Sequence, residues 1–341
     1  TEWERPTGDG VGEVNADHAW ARESYIAHLI EATGTDLRGM KIAIDCANGA
    51  AYEFGPAVFR ELGADITVIN AEPDGRNINR NAGSTHPEGL QAAVVEAGCD
   101  FGVAYDGDAD RCLACDEKGQ EIDGDKVIAL LAMNMKERGC LDGNTAVTSP
   151  SCPTWASSSL WSPRGSAPRT TAVGDRYVLE NMRENGYAIG GEQSGHVILL
   201  HHTTTGDGEL TAGKLLKLLA KSGKKMSELN GIYAQYPQVL VNVAANAAQK
   251  AAYKEDKVLA DFIENEQQKL MDMGRVLVRV SGTEPKIRVM VEGQDLEAID
   301  LCAGLVGTTN PNVVSDLGLP RSRSKPRWRA HGSTCSSTSA L

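Results

Sequence analysis

The run Lys41-Ile42-Ala43-Ile44-Asp45 is followed by a helical stretch to about Leu62 and then by a second run, Asp65-Ile66-Thr67-Val68-Ile69. Two short apolar strands with one helix between them form a βαβ unit, whose strands run parallel and whose crossover is right-handed. A second helix, Leu90 to Ala97, leads into a third run, Phe101 to Tyr105. The chain therefore belongs to the α/β class, and ligands of such sheets bind at the carboxyl ends of the strands. The residues just after Tyr105 are where a site is expected.

Those residues are Asp106-Gly107-Asp108-Ala109-Asp110-Arg111. A loop at a strand end can turn alternate side chains to one side, which lets Asp106, Asp108 and Asp110 converge. Converging carboxylates repel unless a cation sits among them, and hard oxygen ligands favour Mg²⁺, Mn²⁺ or Ca²⁺ over zinc. Arg111 adds a fixed positive charge able to hold a phosphate beside the metal. An Asp- and Gly-rich surface turn that binds nothing is one alternative. An EF-hand is another, with Glu117 at its twelfth position, but its sixth position needs glycine and holds Arg111.

The rest of the chain carries further α/β text. Asp17 to about Thr33 has helical apolar spacing, and a second unit opens with a helix from Asp125 to about Arg138. Val276, Val278 and Val280 alternate, as do Ile287, Val289 and Val291, so a small α+β unit with two strands joined by a loop is expected near the end. The expected layout has a linker remnant over 1–14 and α/β domains over 15–112 and 113–232. An α+β domain over 233–308 and a disordered tail over 309–341 complete it. A net charge of −12 argues against nucleic acid as partner. The eight cysteines make no zinc framework, and Cys112 and Cys115 read as core thiols of a strand rather than a redox pair. With no apolar run of membrane-spanning length and no signal peptide, a cytoplasmic location is expected.

Two later loops carry polar chemistry. In Gly190-Gly191-Glu192-Gln193-Ser194-Gly195-His196, the residues Glu192, Ser194 and His196 alternate and offer hydrogen-bonding groups suited to sugar hydroxyls. A polar turn between two strands remains the other reading. In Arg279-Val280-Ser281-Gly282-Thr283-Glu284-Pro285-Lys286-Ile287-Arg288, hydroxyls, a glycine N–H and two arginines make an anion site, with a solvated hairpin as the alternative.

Taken in order, the AYDGDADR, GGEQSGH and RVSGTEPKIR segments resemble the last three domains of the α-D-phosphohexomutase family. The flanking DCANGAAY, EPDGRNINRNAGSTHPE, TTAVGDRYVLENM and GGEQSGHVIL are similar to its bacterial phosphoglucosamine mutase branch more than to its phosphomannomutase/phosphoglucomutase branch. The resemblance covers about residues 5–147 and 170–300. It implies a multidomain α/β fold with mixed sheets and a small α+β C-terminal domain. The implied reaction interconverts glucosamine 6-phosphate and glucosamine 1-phosphate through a bisphosphate, on the route to UDP-N-acetylglucosamine and the cell wall. It further implies Mg²⁺ on Asp106, Asp108 and Asp110, with Arg111 beside the transferring phosphoryl group. Glu192, Ser194 and His196 would hold the sugar, and Arg279, Ser281, Gly282, Thr283 and Arg288 the other phosphate. The implied partner is a small sugar phosphate, with no nucleic acid and no membrane, and a homodimer stays open.

The departures carry equal weight. The family's Ser-His-Asn-Pro-type phosphoserine loop occurs nowhere in residues 1–341, and the opening reads as a linker after a missing first domain. The chain is thus expected to be a truncated, inactive mutase. A non-catalytic sugar-phosphate-binding protein, or another phosphohexomutase, is the alternative. Residues 148–169 and the tail after about 308 break the family's pattern abruptly and read as out-of-frame stretches.

Overall fold

Five strands make the first sheet: β1 (Lys41–Asp45), β2 (Asp65–Ile69), β3 (Phe101–Tyr105), β4 (Cys112–Asp116) and β5 (Glu121–Ile122). Their order is β2-β1-β3-β4-β5, with β1 parallel to both β2 and β3, and β4 antiparallel to both of its neighbours. The computed structural model describes residues 7, 10–11, 16–141, 146–148, 169–172, 174–232, 237–253, 256–270, 274–281 and 285–293, in two units, 1–236 and 237–341. Within the irregular 148–169 stretch only Thr148 and Arg169 are described, and the tail 309–341 lies outside the described residues, as does all of the opening 1–14 but residues 7, 10 and 11.

The limits of β1, β2 and β3 coincide with the apolar runs. Ile42, Ala43 and Ile44 have no exposed surface, as expected for a central parallel strand covered on both faces. Around the sheet pack α1 (His18–Thr33), α2 (Ala51–Glu61) and α3 (Glu88–Ala97). Asp17 caps α1 by accepting from the Trp20 N–H at 3.0 Å, and Gly34, at φ 52°, ends it with its N–H on the Ile30 carbonyl.

The second sheet repeats the plan. It joins β6 (Ala146–Thr148), β7 (Arg169–Thr170), β8 (Ile189–Gly191) and β9 (Val197–Leu199) in the order β7-β6-β8-β9. Here β6 is parallel to β7 and β8, and β9 folds back antiparallel on β8. Each sheet therefore ends its parallel part in a hairpin, β3–β4 in one and β8–β9 in the other. The acidic loop lies in the first hairpin and the GGEQSGH loop in the second.

Helices α4 (Gly124–Glu137), α5 (Asp175–Asn185), α6 (Gly208–Ser222) and α7 (Met226–Asn230) complete the unit. Asp123 caps α4 through the Lys126 N–H at 3.0 Å, and Asp207 caps α6 through the Leu210 N–H at 2.9 Å. One buried cluster runs from Leu29, Phe59, Phe101 and Tyr105 through Ile128 and Ile189 to Leu215 and Leu216, so both sheets share a core. No helix among the described residues is long and apolar enough to cross a membrane.

In the second unit, β10 (Gln238–Ala244), α8 (Ala247–Tyr253), α9 (Lys257–Leu270), β11 (Gly274–Val280) and β12 (Lys286–Gly293) follow in order. The sheet is antiparallel, β10-β12-β11, and its two alternating runs pair as β11 and β12. Val289 and Val291 are buried against Leu270 of α9.

Candidate active site

The acidic loop is built by a tight turn after β3. Asp106 is buried, Asp110 is half-buried and Asp108 is exposed, and one carboxylate oxygen from each lies within 4.8 Å of the others. Burial and the neighbouring Asp110 carboxylate push Asp106 up to about 6, which is the electrostatic signature of acids held together without enough positive charge. The Asp110 Oδ1 atom is buried with no hydrogen-bond donor on it. A buried carboxylate oxygen with no hydrogen bond, beside two more carboxylates, fits a divalent cation with oxygen ligands.

The backbone is shaped for that arrangement. Ala109 sits at φ 60°, in the left-handed region that an alanine seldom occupies, and its N–H reaches the Asp106 carbonyl at 3.2 Å. Its own carbonyl accepts the Gly208 N–H at 2.9 Å. Gly49 is needed opposite, since a Cβ there would lie 2.3 Å from the Gly107 carbonyl oxygen. Arg111 stands over the cluster, its Nη1 3.7 Å from Asp106 Oδ2 and its Nε 3.8 Å from Asp110 Oδ1, with its side chain 42% exposed. Those separations neutralise part of the charge and leave the guanidinium's hydrogen-bonding edge open to a ligand.

Backbone bonds stitch the second loop onto the first. The Cys112 N–H donates to the Gly195 carbonyl at 3.0 Å, and the Gly124 N–H donates to the Gln193 carbonyl at 2.9 Å. Arg111 and His196 also form an antiparallel bridge. These contacts bring the two hairpins edge to edge, so the acidic loop and the sugar-type loop share one surface.

Glu192 and Ser194 keep the expected polar face, with the Ser194 hydroxyl 3.5 Å from Glu192 Oε2. His196 leaves it. Only 4% exposed, it turns inward, its Nδ1 3.0 Å from Asp110 Oδ2, while the Gly206 N–H donates to its Nε2 at 3.1 Å. Because Nε2 accepts, Nδ1 carries the proton and donates it to the carboxylate, which fixes the tautomer and holds Asp110 in place. Glu192 and Ser194 thus stay nearer the surface while His196 packs against Asp110.

Several residues that position the loops were not apparent in the sequence. A Cβ on Gly124 would lie 2.1 Å from the Glu192 carbonyl oxygen, and one on Gly206 would lie 2.5 Å from the His196 ring. Asp45, fully buried at the end of β1, accepts from the Ala47 N–H at 2.9 Å and the Gly83 N–H at 3.0 Å, and so ties the 70–87 loop to the sheet. The sequence signal for the first two was the pair of glycines around the capping Asp207 and the Asp-Gly start of α4. Cys112 and Cys115 are buried free thiols, and burial pushes both upward, Cys115 to about 12, so neither is an activated thiolate.

The phosphate-type loop belongs to the second unit. Arg279 and Arg288 face each other across β11 and β12, and Ser281, buried, donates its N–H to the Lys286 carbonyl at 3.0 Å. Gly282 and Thr283 lie outside the described residues.

Residues 23–119, 123–236 and 240–306 match the phosphoglucomutase/phosphomannomutase family, as its alpha/beta/alpha domain II, its alpha/beta/alpha domain III and its C-terminal domain. A phosphoglucosamine mutase of Caldicellulosiruptor bescii is 50% identical over 295 residues, which are 85% of this chain and 64% of that protein. A phosphoglucosamine mutase of Nocardia farcinica is 47% identical over 317 residues, 88% of this chain and 69% of that protein. The chain thus spans about two thirds of the length of the curated relatives it matches. A crystal structure of Aspergillus fumigatus N-acetylphosphoglucosamine mutase in complex with GlcNAc-6P and magnesium has a TM-score of 0.68 at 20% identity, covering 87% of this chain and 66% of that one. At that identity the likeness is one of fold.

Proposed function

Because the chain belongs to the phosphohexomutase family, in its phosphoglucosamine mutase branch, we propose that its loops serve the interconversion of glucosamine 6-phosphate and glucosamine 1-phosphate. The observation that carries the proposal is the stitching of the acidic loop to the Glu192–Ser194 loop by Cys112 and Gly124 N–H donors and by the His196–Asp110 contact. A cation site and a hydroxyl-binding site on one surface are what phosphoryl transfer to a sugar requires.

In this reading Asp106, Asp108 and Asp110 hold Mg²⁺, which when bound offsets the charge of the transferring phosphoryl group. Arg111 reaches the same phosphoryl oxygens, placed there by its contacts to Asp106 and Asp110. Glu192 accepts from vicinal sugar hydroxyls and Ser194 adds a hydroxyl beside it. His196 acts by holding Asp110 rather than by touching the sugar. Arg279 and Arg288 stand opposite each other across β11 and β12, and their guanidinium groups are suited to a phosphate. With Ser281, Gly282 and Thr283 they grip the phosphate that is not reacting. Positioning and charge supply most of the catalysis in such a transfer, and these residues provide both.

The phosphoryl carrier is a serine loop of a kind that residues 1–341 do not contain. Those residues by themselves are therefore expected to bind glucosamine phosphates without turning them over. The test is a coupled assay for glucosamine 1-phosphate, with Mg²⁺ and glucosamine 1,6-bisphosphate as primer. Residues 1–341 alone should be inactive, and joining them to the phosphoserine domain of a relative should give turnover that Asp108→Asn abolishes. Full turnover by residues 1–341 alone would refute the mechanism. Binding of glucosamine 6-phosphate with no turnover in the folded fusion would favour a non-catalytic binding protein.

A further inference from the structure

A second cleft of about 500 Å³ opens in the first unit, away from the two stitched loops. It lies where the C-terminal half of α1, the end of α4, the middle of α6 and the turn after β9 meet. The GGEQSGH loop occupies the other end of the β8–β9 hairpin. Lys214 lies six residues into α6 from Gly208, about 9 Å along the helix axis from its start at the acidic loop.

The lining is strongly cationic in a chain whose net charge is −12. Arg138, Lys214 and Lys217 face it together with His28, His201 and His202, against a single lining carboxylate, Glu31. Their mutual repulsion is visible in the imidazole and amine equilibria. Burial, then Lys214, His28, His201 and Lys217, holds His202 down to about 4. Burial, then Lys217 and Arg138, pulls Lys214 down to about 8. Part of the cluster has a structural role, since Lys214 Nζ donates to the Ala32 carbonyl at 2.6 Å and so satisfies the last turn of α1. That role does not account for Arg138 or Lys217, which form no ion pair or side-chain hydrogen bond among the described residues. Gathering cations in a cleft raises the local potential and concentrates anions. Leu131, Met135, Ala188 and Leu199 make the remaining wall apolar, and the volume exceeds that of an inorganic ion.

We propose that this cleft is a binding site for a small phosphate ester, separate from the metal and sugar loops, with Arg138, Lys217 and His202 on the phosphate and the apolar wall against the organic part. Binding would return positive charge to the depressed groups, so His202 and Lys214 take up protons when the ligand enters.

The experiment uses the full 341-residue chain with inorganic phosphate, pyrophosphate and adenosine 5′-monophosphate as probes. Affinity is read by calorimetry and the site by the pH titration of the His202 ring in ¹H–¹³C spectra. The expected result is binding of the monophosphate ester at least tenfold tighter than inorganic phosphate, with the His202 midpoint rising by a unit or more. Arg138→Glu with Lys217→Glu should reduce the affinity at least tenfold, and Arg176→Ala, at an exposed ion pair with Glu180 outside the cleft lining, should leave it unchanged. Arg138→Ala with Lys217→Ala, a milder pair, should reduce it in the same direction should the glutamates disturb folding. A His202 midpoint that stays fixed at saturating ester would overturn the proposal. Unchanged affinity in both Arg138/Lys217 double variants would do the same, as would equal affinity for all three probes.

Discussion

Replacing His196 by alanine tests how the two loops hold each other. The imidazole donates to Asp110 Oδ2 at 3.0 Å and accepts from the Gly206 N–H at 3.1 Å, in a position only 4% exposed. Losing a hydrogen bond to a carboxylate costs about 1.5–3 kcal/mol, and leaving the Gly206 N–H without an acceptor costs about 1–3 kcal/mol. Allowing for partial relaxation, the variant should be destabilised by about 3–5 kcal/mol, a large share of the roughly 5–15 kcal/mol that keeps a domain folded. Asp110 would also lose its orientation, and loss of such an outer contact typically weakens a metal site about 10–100-fold. Asparagine separates the two roles. Its amide can donate to Asp110 from near the Nδ1 position but cannot reach Gly206. His196→Asn should therefore recover most of the metal affinity and only about half of the stability. Mn²⁺ titration gives the metal affinity and urea denaturation gives the stability. Alanine and asparagine variants with the same Mn²⁺ affinity would show that His196 does not position Asp110.

Two further outcomes follow from burial and close approach. Gly124→Ala places a Cβ 2.1 Å from the Glu192 carbonyl oxygen, so the β8–β9 loop must shift; thermal denaturation should show a loss of about 1–3 kcal/mol, with weaker glucosamine 6-phosphate binding. Glu209 is buried on α6 and is held well above the ordinary carboxyl range by burial, then by Asp207. The folded chain therefore keeps a proton that the unfolded chain releases above about 4.5, and stability falls as pH rises from there, by at most about 1.4 kcal/mol per pH unit. Glu209→Gln removes the titration, so its advantage in Tm over the unmodified chain should grow between pH 5 and pH 8; an advantage that shrinks over that range would contradict the assignment.

What the sequence made legible was whatever is coded locally. The runs at 41–45, 65–69 and 101–105 give strands at those limits because each carries a short apolar stretch, opened by a charged residue at Lys41 and Asp65, that leaves little freedom in where the strand begins. Asp106, Asp108 and Asp110 converge as their alternation implied. The pairing of the two hairpins was hidden, because it runs through the N–H groups of Cys112 and Gly124, and a backbone donor leaves no mark in the residue pattern beyond a glycine where space is short. The inward turn of His196 was hidden for a related reason. Its partners, Asp110 and Gly206, lie 86 residues before it and 10 residues after it, and only the fold places them together.

Titration of the chain with Mn²⁺, followed by electron paramagnetic resonance, tests the central claim that the acidic loop is the metal centre of a sugar-phosphate site. The unmodified chain should bind one Mn²⁺ that Mg²⁺ displaces. Asp108→Asn, at an exposed position whose loss leaves the core intact, should weaken that binding tenfold or more by removing one of three ligand charges. Equal affinity in Asp108→Asn, or no Mn²⁺ bound by the folded chain, would contradict the account.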